Sequence, residues 1–347
     1  MNINQTLLKE IKPYLACYDC DERQVEAILS RPGTFERWLH PFVRRDRQEQ
    51  VVNTISSIME PHGKRHLFEH ILQLRRVENG VHSLVPLHRD HVLHTLRCYL
   101  LGIYINEKFI PTLQRENVES FQWEIASLFH DIGYPIEIAF KAICGPYFDA
   151  LNESFIGRHP LPDGICDLTR GRNSLEIIQL QLEKWHLNID VRAEYKKMIR
   201  PLSVNHGMIS SITLLKTIDT LYQQKNPNGE YSETLSLDRV DWNQKYFEED
   251  IVPACAAIFV HGLSRRCFAE SKVKLSFAPL VVLLKLSDCL QEWDRSFNKK
   301  QNFASTRFDI EVNNNRLILT ARIPDGRKDQ IRSEINDCIE DSQVEIR

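Results

Sequence analysis

Long apolar runs are what this 347-residue chain lacks most. The longest, Ile251 to Val260 and Ala278 to Leu284, fall well short of the ~20 residues a membrane span needs, so no membrane segment is expected. An excess of one charge is also missing. Against 44 Lys and Arg stand 47 Asp and Glu, a net charge of −3, which argues against a nucleic-acid surface. The only dense basic cluster, Arg44, Arg45 and Arg47, is interrupted by Asp46 and reads as a solvated face. Paired cysteines are missing too. The nine are odd in number and scattered, as expected of reduced thiols in a cytoplasmic protein. Cys17 and Cys20 form the only close pair, with no second pair nearby to complete a zinc set. The start, Met-Asn-Ile-Asn-Gln-Thr, has no charged leader followed by an apolar core. Internal repeats, low-complexity tracts, a P-loop and a dinucleotide fingerprint are absent as well.

What remains is an ordinary globular composition, 42% hydrophobic and 26% charged, with mostly helical periodicity. Residues 1–80 read as an N-terminal helical region, punctuated at Pro32-Gly33 and Pro61-His62-Gly63. His62, His66 and His70 recur every fourth residue there, without a carboxylate in register, and read as a polar helix surface. Residues 81–300 read as the core. Its helices are expected at about Val81–Tyr104, Ser120–Asp131, Glu176–Leu187, Asn205–Leu221, Ile251–Leu263 and Pro279–Asp294. A turn-rich stretch from 141 to 172 reads as a loop or lid, and 223–231 as a surface loop. Residues 301–347 change character: Arg307 to Val312 and Arg316 to Ala321 alternate around an Asn turn, a β-hairpin pattern. A charged helix from about Lys328 to Asp341 follows. The expected fold class is therefore mainly α, a helical core with N-terminal helices and a small C-terminal α+β appendage.

The residues with the most chemistry are His130 and Asp131, delivered by the apolar run Ala126 to Phe129 and followed by Ile132-Gly133. An Asp has two oxygens and can bridge two cations, whereas an imidazole binds one. Adjacent helical residues point about 100° apart, so the two meet one ion only where the helix frays; Gly133 and Pro135 allow that. Upstream lie His88, Arg89, His91, His94 and Arg97; far downstream Asp288 follows an aliphatic run. A buried acid without a cation is unfavourable, so Asp288 is either a ligand or a partner of Lys285 or Arg295. His206 and His261 each sit in an apolar helical context, where a lone histidine is usually an ordinary core residue.

The order His, His-Asp, His, His, Asp over about Leu84 to Arg295 resembles the HD superfamily of metal-dependent phosphohydrolases, in its binuclear branch. That resemblance implies one divalent metal on His94, His130, Asp131 and Asp288, and a second on Asp131, His206 and His261. Manganese, iron, nickel, cobalt, magnesium and zinc are not distinguishable from the ligand types. Of His88, His91 and His94, the His-Thr context favours His94 as the ligand, with His91 as its supporting partner or a phosphate contact. The implied activity is hydrolysis of a phosphoester or phosphoanhydride of a nucleotide-like small molecule by a metal-activated hydroxide. Asp131, His91, Arg89, Arg97 and Tyr134 are the expected catalytic and phosphate-holding groups, with Lys285 and Arg295 weaker candidates. Many members of the family carry Lys directly after His-Asp-Ile-Gly; here Tyr134-Pro135 stands there, so Tyr134 is the substitute donor. The same ligand set also serves a di-iron oxygenase, and a non-catalytic ligand-sensing module is the third reading.

Overall fold

The computed structural model of the chain describes residues 3–29, 41–60, 71–72, 75–76, 90–113, 116–139, 174–198, 204–222, 235–237, 240–242, 244–291, 308–313, 316–321, 325–340 and 344–347. The lid stretch 141–172, the loop 223–231, the row His62, His66, His70, and His88, Arg89 and Arg295 lie outside them.

The fold is mainly helical with a small C-terminal sheet, as its periodicity implies. In chain order the helices are α1 (Ile3–Ile11), α2 (Glu22–Leu29), α3 (Pro41–Met59), α4 (His91–Lys108), α5 (Ile110–Leu113), α6 (Ser120–Phe129), α7 (Tyr134–Ala139), α8 (Ser174–Lys184), α9 (Val191–Met198) and α10 (His206–Tyr222). A short antiparallel pair, β1 (Leu235–Leu237) and β2 (Val240–Trp242), precedes α11 (Val252–His261) and α12 (Pro279–Leu290). The C-terminal hairpin is β3 (Phe308–Asn313) and β4 (Arg316–Ala321), with Asn313 opposite Arg316. It is followed by α13 (Asp325–Cys338) and by β5 (Val344–Ile346), which pairs parallel to β4.

Helix α4 is the axis of the molecule. Every residue from His91 to Asn106 is buried, and α1, α3, α6 and α12 pack around it. It begins at His91, not near Val81 as the sequence reading expects. Asp90 has extended backbone, and its Oδ1 accepts the amides of Val92 and Leu93 at 3.1 and 3.2 Å. Such a cap closes the orphan donors of the first turn, worth ~1 kcal/mol. Its other oxygen accepts from Gln48 of α3 at 2.7 Å. The approach of α6 to α4 depends on Gly102, where a Cβ would lie 1.8 Å from Cζ2 of the buried Trp123.

Helix α11 is entered through a π-helical turn, Phe247–Ile251. Pro253 has no N–H, so it cannot bond the Glu249 carbonyl one turn back; the side chain of Gln122 on α6 donates to that carbonyl at 3.0 Å instead. One continuous apolar cluster then joins side chains from Leu7 to Ile346. The appendage docks on the α12 side: Val273 donates to the Cys338 carbonyl at 2.8 Å, and Glu340 returns to the Val273 carbonyl at 2.9 Å.

Candidate metal centre

Five helix ends converge on Asp131, Asp288 lying in the last turn of α12. Helix α6 stops at Phe129, and residues 130–133 form a turn in which Tyr134 N–H bonds the Asp131 carbonyl at 2.9 Å. The turn lets His130 and Asp131 face the same space, their Nε2 and Oδ2 being 3.5 Å apart. Gly133 matters through closeness: a Cβ there would lie 2.6 Å from the His206 carbonyl, and its N–H is held by Ser210 Oγ at 2.8 Å.

The two oxygens of Asp131 divide the surrounding imidazoles. Oδ2 lies 3.5 Å from His94 Nε2, 3.5 Å from His130 Nε2 and 3.8 Å from His91 Nε2. Oδ1 lies 3.5 Å from His206 Nε2 and 3.8 Å from His261 Nε2. Asp288 Oδ1 is 3.0 Å from His94 Nε2. Within each half the imidazoles meet nitrogen to nitrogen: His94 with His130 at 3.3 Å, and His206 with His261 at 3.3 Å.

The far sides of the rings explain this convergence. Nδ1 of His130 faces the Ser127 carbonyl at 2.7 Å, and that of His261 faces the Ile258 carbonyl at 2.6 Å. Nδ1 of His94 faces Gln291 Oε1 at 2.6 Å, and that of His206 faces Glu137 Oε2 at 2.7 Å. All four partners are acceptors, so Nδ1 carries the proton and the Nε2 lone pair points inward. Paired lone pairs 3.3 Å apart repel unless a cation lies between them. Donors bound ~2.1 Å from one ion at angles near 90–110° stand ~3.0–3.4 Å apart, the spacing seen here. The donor set therefore fits metal: His94, Cys98, His130 and Asp288 form one group whose ligand atoms lie within 4.8 Å of one another, and His130, Asp131 and His261 another.

The charges agree. Burial works to raise the Asp131 carboxyl, but His130, His261, His91 and His206 around it outweigh that and hold it well below the usual carboxylate range. Burial opposes ionisation of Asp288 too, and His94 and His130 hold it well below that range. Burial pushes His261 down, toward the neutral form a ligand requires. For His206 burial works downward, yet the Glu137 carboxylate and Asp131 raise it.

His91 completes the wall of the site. It is buried, and its ring stacks on Tyr134 with centroids 3.7 Å apart. Tyr134 also meets the His206 edge at 5.0 Å. Tyr134, His206 and Asp288 are only half-buried and mark the side from which a ligand would enter. Two expected phosphate-holding groups lie elsewhere. Arg97 is buried on the α2 and α3 side of α4, lining a hollow with Ala27, Ile28, Arg47, Gln50, Val51 and Leu93. It stands only about 60° around the helix from His94, but its side chain runs to that hollow rather than into the histidine cluster. Lys285 donates to the His261 carbonyl at 3.3 Å, at the C-terminus of α11 where a cation suits the helix end.

Three contributors escape the sequence reading. Cys98 is one helical turn after His94, an interval open to inspection. Gln291 lies three residues beyond Asp288, and Glu137 six beyond Asp131, with no local pattern to mark either. Glu137 accepts both the backbone amide and Nδ1 of His206 at 2.7 Å, fixing the start of α10 and its first ring together. Glu137→Ala is expected to weaken binding at the His206/His261 position by ~10–100-fold, the usual effect of losing an orienting partner. Competition against a chromophoric chelator checks it, and unchanged affinity would reduce Glu137 to a helix cap.

No protein-family model matches the chain, and neither a curated protein nor a solved structure matches it. Among the described residues, no helix is long and apolar enough to cross a membrane.

Proposed function

We propose that the chain is an HD-superfamily phosphohydrolase with two divalent metals, acting on a phosphoester or phosphoanhydride of a nucleotide-like small molecule. The observation that carries this reading is the division at Asp131, one oxygen toward His94 and His130 and the other toward His206 and His261. A carboxylate so placed is what a bridged pair of ions requires. When bound, such a pair lowers the pKa of a shared water and neutralises phosphate oxygens as charge builds in an in-line displacement.

The chain's own residues do the rest. Asp131 and Asp288, ionised despite burial, supply the negative charge that holds the cations. Four Nδ1 anchors keep the rings from rotating, so the donors need little rearrangement. Tyr134, half-buried against His91 and His206, stands at the position where many HD-superfamily members carry lysine and is the proposed donor to a phosphate oxygen. His91, left over once four rings are assigned, stands behind Tyr134 and orients it.

The test is phosphate release from a panel of nucleoside mono-, di- and triphosphates and cyclic nucleotides, with oxygen uptake measured in parallel. Expected is release that chelator abolishes and added metal restores. Oxygen uptake with retained iron and no phosphate release would replace this reading by the di-iron oxygenase. Tight nucleotide binding without either reaction would replace it by the sensing module.

A further inference from the structure

The four anchors behind the histidines are not alike. His130 and His261 rest on main-chain carbonyls, 2.7 and 2.6 Å from Nδ1. The other two rest on side chains of nearly the same shape and different charge. Behind His94 stands Gln291, its Oε1 2.6 Å from Nδ1; behind His206 stands Glu137, its Oε2 2.7 Å from Nδ1. Both anchors are buried. An amide oxygen and a carboxylate oxygen each accept the ring N–H, so orientation alone does not explain why one place has glutamine and the other glutamate. Charge distinguishes them.

The carboxylates divide between the halves in a matching way. Asp288 Oδ1 stands 3.0 Å from His94 Nε2, inside the first half. Among the described residues, the only carboxylate oxygen within 4 Å of the inner nitrogens of His206 and His261 is Asp131 Oδ1, at 3.5 and 3.8 Å. Glu137 lies one ring further out. Its Oε2 accepts both the backbone amide and Nδ1–H of His206 at 2.7 Å, as an ionised, acceptor-only carboxylate does. A carboxylate behind an imidazole makes the opposite nitrogen a stronger metal donor, and a neutral amide does so less. A carboxylate behind His94 would add a further negative charge beside Asp288 in a buried site, which is unfavourable; Gln291 avoids it.

We propose that Glu137 and Gln291 are positioning residues that balance charge between the two ions. Glu137 delivers to the second ion, through the His206 ring, the charge that Asp288 gives the first by contact. Gln291 keeps the first from receiving that charge twice. The proposal rests on the metal-centre reading above. Each ion then has one carboxylate of its own and a share of Asp131. Because attraction falls with distance, the first ion, with its carboxylate in contact, is the tighter, and the second is the one that exchanges.

Zinc binding to the metal-free full chain, read by competition with a chromophoric chelator, tests this. The wild type is expected to show two affinities, and His261→Ala to lose the weaker one. Glu137→Gln keeps an oxygen able to accept both bonds from His206 and removes only the charge. It is expected to weaken the second step by ~10-fold and leave the first unchanged. Gln291→Glu is expected to tighten the first step by about 10-fold, in the wild type and in His261→Ala alike. A gain of affinity cannot come from damage to the fold, so this variant decides the matter even where Glu137→Gln does not fold. Unchanged affinities in a folded Glu137→Gln, or no gain in Gln291→Glu, would overturn the charge assignment and leave both residues as orienting groups of an intact centre. No zinc bound by the wild type would overturn the centre itself, and the proposal with it.

Discussion

Asp131→Ala is expected to empty both metal positions at once, taking metal per chain from about two to near zero. Among the described residues it is the one whose two oxygens face both sets of imidazoles, at 3.5 Å from His94 and His130 on one side and from His206 on the other. Elemental analysis of protein purified without chelator reads the result directly. Asp131→Asn separates bridging from general damage: an amide keeps the shape but offers a single acceptor oxygen, so about one metal is expected to remain. Stability supplies a second readout. A ligand at a thousand times its dissociation constant stabilises the folded state by about 4 kcal/mol, so chelator should lower the wild-type Tm by several degrees and leave that of Asp131→Ala unchanged. Loss of only one metal in the alanine variant would mean that Asp131 serves one ion. Retention of both would remove it from the centre.

The candidate ligands were legible in the sequence, and the groups that orient them were not. His94, His130, Asp131, His206, His261 and Asp288 stand out because each interrupts an apolar helical run, and the structure gathers all six around one space. Helices α6, α10, α11 and α12 follow from their periodicity, and the three consecutive asparagines in the sequence mark the β3–β4 hairpin, which pairs Asn313 with Arg316. The start of α4 was harder. Leu84, Val85 and Leu87 extend the apolar pattern upstream, so periodicity alone runs past the true boundary; the Asp90 cap decides it. Gln291, Glu137 and the carbonyls of Ser127 and Ile258 carry no local pattern. Their roles appear only when segments as far apart as α4 and α12 are in contact. The strands Leu235–Leu237, Val240–Trp242 and Val344–Ile346 have three residues each, too few for alternation to register. Arg97 shows the converse: sequence proximity to His94 suggests a place at the site, while its side chain lines the hollow on the α2 and α3 side of α4.

Gly207→Ala is expected to remove the second metal and leave the first. Each histidine of that half is followed directly by glycine, His206 by Gly207 and His261 by Gly262, and the two glycines are where α10 and α11 touch. A Cβ on Gly207 would lie 2.8 Å from the Ile258 carbonyl oxygen and 2.9 Å from Gly262 Cα. Those neighbours are backbone, so no side chain can swing aside and the helix ends must part. The ring nitrogens of His206 and His261 are 3.3 Å apart, and metal–ligand distances tolerate only about 0.2 Å of displacement, so a small separation suffices. His94, His130 and Asp288 ride on α4, the α6 end and α12, which the substitution does not touch. Metal per chain should therefore fall from about two to about one, with overpacking destabilising the fold by about 1–3 kcal/mol. Gly262→Ala, whose Cβ would meet Asn205 Oδ1 at 2.5 Å and Gly207 Cα at 2.9 Å, should do the same from the other side. Gly326→Ala is the control. It lies in α13 with nothing within 4 Å of the added Cβ, so both metals and full stability should remain. Two metals in Gly207→Ala would show that the histidine pair is not positioned by this glycine contact; none would show that the two positions fill only together.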